Sequence, residues 1–282
     1  MAKQVFLCAI SNISSGHCLE DCKFCTQSVK YGASIDRFYH KPIERIVEEA
    51  KRAKAREAIG FCLVTAGRGI DEKTLRFVCE AAEAVKREVE GLGLIACNGT
   101  ATLEQLRILK DHGIDSYNHN LETSEAFYPK ICTTHGWKER YETCENVKKA
   151  GLKLCTGGIF GLGERMEDRT AMLEAVVSLE PASVPINFYH PNEALPLEGT
   201  TLPREEALAM VRLAREMLGP DRRLMVAGGR EITFGDEDYK IFEAGANAIV
   251  IGDYLTTRGE DPMRDHEMLR RYGYEIAQSC QE

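Results

Sequence analysis

The sequence predicts a complete (βα)8 barrel in a single domain spanning residues 1–282. Eight short apolar runs alternate with longer amphipathic ones, the pattern of βα units around a parallel sheet. A chain of 282 residues has the length at which such a barrel closes as one unit. No internal repeat or low-complexity linker divides it.

The first strand is Val5 to Ile10, with a cysteine-rich loop directly behind it, and the first helix runs Ile43 to Ala55 after Pro42. The second pair is Ala58 to Ala66 with Glu72 to Val89. The third is Gly93 to Cys97, followed by a helix capped by Thr102 that ends near His112-Gly113. The fourth strand is Ser116 to Leu121. Residues Glu122 to Gly136 show no period and read as loop before a helix from Lys138 to Ala150. The fifth pair is Lys153 to Ile159 with Met166 to Leu179. The sixth is Ser183 to Tyr189, then a loop from His190 to Gly199 and a helix from Arg204 to Leu218, stopped by Gly219-Pro220. The seventh is Arg223 to Ala227 with Glu237 to Ala244, and the eighth is Ala248 to Ile251 with a final helix over Asp265 to Ala277.

Composition narrows the function classes. With 44% apolar residues and a net charge of -8, the chain has core material and no basic block, so neither nucleic acid nor a membrane surface is an expected partner. The opening residues are too poor in apolar side chains for a signal peptide, and a cytoplasmic enzyme is expected. Eleven cysteines, an odd number, argue for metal or catalysis over a disulfide framework.

The chemistry concentrates in His17-Cys18-Leu19-Glu20-Asp21-Cys22-Lys23-Phe24-Cys25. Three thiolates at C-x3-C-x2-C spacing suit three corners of an iron–sulfur cube. Structural zinc wants four ligands, and this loop offers three thiolates with only His17 beside them. At the strand ends, where barrel chemistry sits, Cys62, Cys97, Cys155 and Arg230 stand among apolar residues. A lone strand cysteine behaves as a small hydrophobe. Three on three strands can converge, because alternate side chains of every strand enter one lumen. The arginine, on general grounds, suits an anion or a carboxylate.

The cysteine spacing resembles that of radical S-adenosylmethionine (SAM) enzymes, and the chain is similar to the biotin synthase family along nearly its whole length. The likeness rests on Cys18 through Ser28, Tyr117-Asn118-His119-Asn120-Leu121-Glu122-Thr123-Ser124, Cys155 through Glu164, Pro185-Ile186-Asn187 and Ala227-Gly228-Gly229-Arg230-Glu231. Phe24 replaces a common Tyr and Glu122 a common Asp. A six-strand open barrel is the other architecture of the superfamily. The resemblance implies a 4Fe-4S cluster on Cys18, Cys22 and Cys25, and a 2Fe-2S cluster on Cys62, Cys97, Cys155 and Arg230. It implies that an electron from a flavodoxin- or ferredoxin-type donor splits SAM to a 5′-deoxyadenosyl radical. That radical takes hydrogen from dethiobiotin, and a sulfide of the second cluster is inserted. SAM contacts are implied for Phe24, Ala66, Asn120, Glu122 and Ile159, and substrate contacts for Asn118, Asn120, Asn187, Thr256 and Thr257. A homodimer and loading by iron–sulfur assembly machinery follow from the same likeness. A radical SAM mutase or maturation factor would not need the strand cysteines, and an iron–sulfur carrier would cap its cluster fully.

Overall fold

A computed structural model of the chain describes residues 4–256, 259 and 261–279. The expected eight-position barrel forms. Its strands are β1 (Gln4–Ser14), β2 (Gly60–Thr65), β3 (Gly93–Cys97), β4 (Ser116–Asn118), β5 (Lys153–Cys155), β6 (Gly158–Phe160), β7 (Ser183–Phe188), β8 (Arg223–Val226) and β9 (Ala248–Val250). Neighbours pair in parallel, and β1 against β9 closes the cylinder. β5 and β6 share one position, since Cys155 faces Ser183 and Gly158 faces Ile186 in the same register on β7. The break falls at Gly157, where a Cβ would lie 1.8 Å from the Pro185 carbonyl oxygen. Only a residue without one fits there.

Helices α1 (Ile43–Ala55), α2 (Glu72–Glu88), α3 (Leu103–Asp111), α5 (Trp137–Lys149), α6 (Met166–Ser178) and α7 (Arg204–Leu218) wrap the outside close to their expected bounds. Thr102 caps α3 in a reciprocal box with Gln105, as its sequence suggested. Their buried faces and the outward residues of the strands form the main apolar shell, in which Ile46, Ala50, Leu63, Leu94 and Val184 are fully buried. A second apolar cluster, with Phe6, Ile59, Met225, Ala248 and Val250, sits inside the lower barrel. The cavity opens at the C-terminal ends of the strands, and its lining runs down to Gly91, Lys110 and Lys153 at the other end.

Four expectations are corrected. β1 runs on to Ser14 because Asn12 and Ser14 keep pairing with β2 despite their polarity. The stretch 122–136 contains a short helix, α4 (Tyr128–Ile131). The seventh helix is split into α8 (Arg230–Phe234), a 3-10 turn at Gly235–Glu237 and α9 (Lys240–Glu243). The last helix is α10 (Pro262–Arg271), capped by Asp261, and the chain beyond it forms β10 (Glu275–Ile276) beneath β1. Among the described residues no helix is long and apolar enough to cross a membrane.

Candidate active site

The mouth is formed by the loop after β1. Its path is set by backbone bonds from Cys18 N to Gln27 O (3.2 Å), Val29 N to Cys18 O (2.8 Å) and Lys23 N to Ile131 O (2.8 Å). The buried Gln27 carboxamide oxygen accepts from Gly16 N at 2.5 Å and Ser15 Oγ at 3.2 Å. Cys18, Cys22 and Cys25 are all half-buried on this loop. Burial pushes the Cys25 thiol up to about 11 and raises that of Cys18 as well. Without a cation the site favours neutral sulfur, and binding a metal would release the protons. The donor set, soft sulfur held on a preformed loop, fits an iron–sulfur cluster.

Below the loop lies a cavity of about 1020 Å³ lined by alternate residues of the strands: Gly60, Cys62 and Val64 of β2, Gly93, Ile95 and Cys97 of β3, Arg223 and Met225 of β8. Cys62, Cys97 and Cys155, from three separate strands, all face this space. The Cys62 and Cys97 thiols are hydrogen-bonded, which raises the pKa of Cys62 and lowers that of Cys97. Asn118 sits beside Cys155 in register and donates from Nδ2 to Cys97 Sγ at 3.4 Å. Cys8 of β1 lines the same space, and its thiol is among the charges that raise Cys62. These sulfurs also fit a cluster.

Arg230 does not join them. Gly229, at φ +81 and with no room for a Cβ against the Phe188 carbonyl oxygen, turns the chain out of β8 into α8. The Arg230 guanidinium, fully buried, bonds Asp265 at 2.8 Å, Asp238 at 2.8 Å and Glu231 at 3.2 Å. It is outside the cavity lining, and three carboxylates account for its burial. The structure therefore does not bring it together with the three strand cysteines, as the resemblance implied. Met225 and Arg223 are the β8 side chains that enter the lumen, and the Arg223 guanidinium lies 4.1 Å from the centre of the Phe6 ring.

Of the expected SAM contacts, Phe24, Asn120, Glu122 and Ile159 line the cavity, whereas Ala66 lies outside the lining, its amide bonded to Ser14 O at 3.0 Å. Glu122 adopts φ +68 and is held by Ile159 N, which donates to its carbonyl at 2.8 Å. Such a backbone costs about 1 kcal/mol for a residue with a Cβ and persists where the surroundings enforce it. Its carboxylate meets Arg140 Nη2 at 3.0 Å, while Arg140 Nε donates to Asn120 O at 2.6 Å. Burial raises the Glu122 pKa against the opposing pull of Arg140.

Among the substrate candidates, Asn118, Asn120, Asn187 and Thr256 reach the cavity, and Thr257 lies outside the described residues. The Oδ1 atoms of Asn118 and Asn120 are buried with no partner. A ligand with N–H groups would satisfy them. Asn187 is already engaged at both ends, donating to Gly158 O at 3.2 Å and accepting from Gly228 N at 2.8 Å. It acts as a brace between strands. Arg140, Cys8, Cys132 and His135 escaped the sequence reading as site residues, because none lies in a recognisable motif; for Cys8 the inward parity of β1 was an available signal.

Residues 12–176 match the family model described as Radical SAM superfamily, and residues 185–275 that described as Biotin and Thiamin Synthesis associated domain. The chain is 64% identical over 278 residues to a biotin synthase of Sulfurovum sp. (strain NBC37-1), covering 99% of this chain and 98% of that one. A biotin synthase of a Nitratiruptor species is 63% identical, covering 99% and 100%. The fold is like that of methylornithine synthase (PylB), with a TM-score of 0.83 at 22% identity over 97% of this chain and 84% of that one.

Proposed function

This chain belongs to the biotin synthase family, and from that premise we propose that its barrel converts dethiobiotin to biotin by radical SAM sulfur insertion. One observation carries the reading: thiols from three separate strands face one cavity whose mouth is the three-cysteine loop. At about 1020 Å³ the cavity passes the upper end of the roughly 300–1,000 Å³ typical of a site for one drug-sized ligand, so two organic molecules have room.

Cys18, Cys22 and Cys25 would hold the 4Fe-4S cluster, and Cys62, Cys97 and Cys155 the 2Fe-2S cluster, with Cys8 the nearby sulfur for a fourth position. When bound, the first supplies the electron that cleaves SAM and the second supplies sulfur to the substrate. The chain's own residues bind, orient and exclude water. Glu122, held in place by Arg140, accepts from the ribose hydroxyls of SAM, and Phe24 and Ile159 flank its adenosyl group. Asn118 and Asn120 turn their unpartnered amide oxygens to the ureido N–H groups of dethiobiotin, with Asn187 fixing the neighbouring wall. Thr256, bonded to Thr26 of the cluster loop at 2.8 Å, reaches the substrate carboxylate. The apolar side chains of the lower lumen, Ile59, Ile95 and Met225 among them, limit water around a reactive radical.

Leu19, 73% exposed beside Cys18, is where a flavodoxin- or ferredoxin-type donor would dock. The family further implies a cytoplasmic homodimer of single-domain chains, loaded by iron–sulfur assembly machinery. Anaerobic assay with SAM, dithionite and dethiobiotin tests the function. Biotin forms with the wild type, whereas Cys155→Ala keeps the 4Fe-4S signal, loses iron and makes none. Biotin formation by that variant would sink the sulfur-donor assignment.

A further inference from the structure

Cys132 and His135 belong to neither cluster set, yet both stand against Cys22. Cys132 is 2% exposed, and its Sγ lies 3.6 Å from Cys22 Sγ. His135 Nε2 is 4.0 Å from Cys22 Sγ and 3.9 Å from Cys132 Sγ. The three donor atoms thus form a nearly equilateral triangle. A tetrahedral ion with Zn–S of about 2.3 Å and Zn–N of about 2.0–2.1 Å needs S···S near ~3.8 Å and S···N near ~3.6 Å. All three edges fall within about 0.4 Å of those values.

The surroundings are those of a built site. Glu20 Oε2 lies 2.8 Å from His135 Nδ1, the kind of outer carboxylate that fixes an imidazole's tautomer, and Cys132 Sγ lies 3.2 Å from the same nitrogen, so the ring turns slightly when Nε2 takes an ion. The Asp21 carboxylate holds the other wall, accepting from Thr133 N at 2.9 Å, Thr134 N at 3.1 Å and Cys132 Sγ at 3.3 Å. The Tyr128 hydroxyl, 2.9 Å from His135 Nε2, holds that nitrogen in the cluster-free chain and gives it up when the ion binds. Arg140 Nη1 is 3.4 Å from the same nitrogen, but its charge is matched by Glu122.

We propose that Cys22, Cys132 and His135 form a single-ion site for a zinc-class divalent cation, occupied in the cluster-free chain and emptied when Cys22 takes its place in the 4Fe-4S set. The exclusion of one by the other rests on Cys22 being a cluster ligand; the ion site itself does not. A borderline-soft ion with two thiolates and an imidazole matches the donor set.

The test uses Co²⁺ and Zn²⁺ as probes on the full-length, cluster-free chain carrying Cys18→Ala, Cys25→Ala, Cys62→Ala, Cys97→Ala and Cys155→Ala, which disables the competing sulfur sets. One equivalent of Co²⁺ gives thiolate charge-transfer and tetrahedral d–d bands, which Zn²⁺ displaces, and adding Cys132→Ser or His135→Gln weakens binding at least tenfold. Equal Co²⁺ affinity with and without Cys132 overturns the proposal. Should the multiple variant not fold, the wild type answers instead: Zn²⁺ slows reconstitution of the 4Fe-4S signal, and Cys132→Ser removes that sensitivity while still loading the cluster. Zinc inhibition unchanged in Cys132→Ser also overturns it. Tight Co²⁺ binding through Cys132 with cluster assembly indifferent to zinc would instead count against Cys22 as a cluster ligand, which separates the two readings.

Discussion

Replacing Arg140 with Met isolates the electrostatics of the cavity wall. The Arg140 and Glu122 side chains are 13% and 12% exposed and meet at 3.0 Å. Removing the guanidinium alone leaves a buried carboxylate without its counter-ion, a change that costs about 3–5 kcal/mol. Glu122 recovers part of this by taking up a proton, since burial already raises its pKa and the opposing pull of Arg140 is gone. In the unfolded chain the same group ionises near the ordinary glutamate value. Between those two pKa values the folded state binds more protons, so stability falls as pH rises through that window. The deficit of Arg140→Met is therefore smallest near pH 5 and reaches about 3 kcal/mol near pH 8. At about 2–4 °C per kcal/mol, that is a loss of about 6–12 °C in Tm. Thermal unfolding of the cluster-free chain at both pH values, for wild type, Arg140→Met, Glu122→Gln and the double variant, measures it. The double variant regains most of the loss, because a neutral amide needs no counter-ion. An equal deficit at both pH values, or a double variant as unstable as Arg140→Met, would refute the reasoning and reduce Arg140 to packing.

Two further outcomes follow from the second sulfur set and from Arg230. Arg230→Met strips three carboxylates of their partner and costs about 3–5 kcal/mol by urea unfolding. Burial raises Asp265 to about 6, and losing its cation raises it further, so the variant weakens more as pH climbs through and above about 6. Its second-cluster absorption stays as in the wild type; loss of that absorption in a folded variant would restore Arg230 as a ligand. Cys8→Ala alters the Mössbauer signature of the second cluster and leaves that of the 4Fe-4S cluster untouched. Identical spectra would remove Cys8 from the set.

The barrel was legible because its strands are short apolar runs and its helices carry their stops: Thr102 caps where capping chemistry says it should, and Gly219 ends α7. What sequence period could not reveal was set by contact. The polar tail of β1 stays a strand only through its pairing with β2, and α10 gives way to β10 because Gly273, at φ +75, ends the helix and Glu275 finds Gln4. The cysteines and Arg230 show the same divide inside the site. Cys62, Cys97 and Cys155 lie on regular strands, where every second residue faces inward, so their convergence follows from parity. On β8 the inward series is Arg223, Met225, Ala227, and the outward one is Leu224, Val226. Arg230 has the outward parity. Counted this way it belongs to the shell even before Gly229 turns the chain aside, and its three carboxylates are the partners that its chemistry alone suggests. The same counting, applied to Cys8 and Ile10 of β1, places Cys8 inside. Alternation along the strand, a property of the backbone, is thus the stronger guide to which side chains can share a cluster, and resemblance should be admitted only where parity agrees.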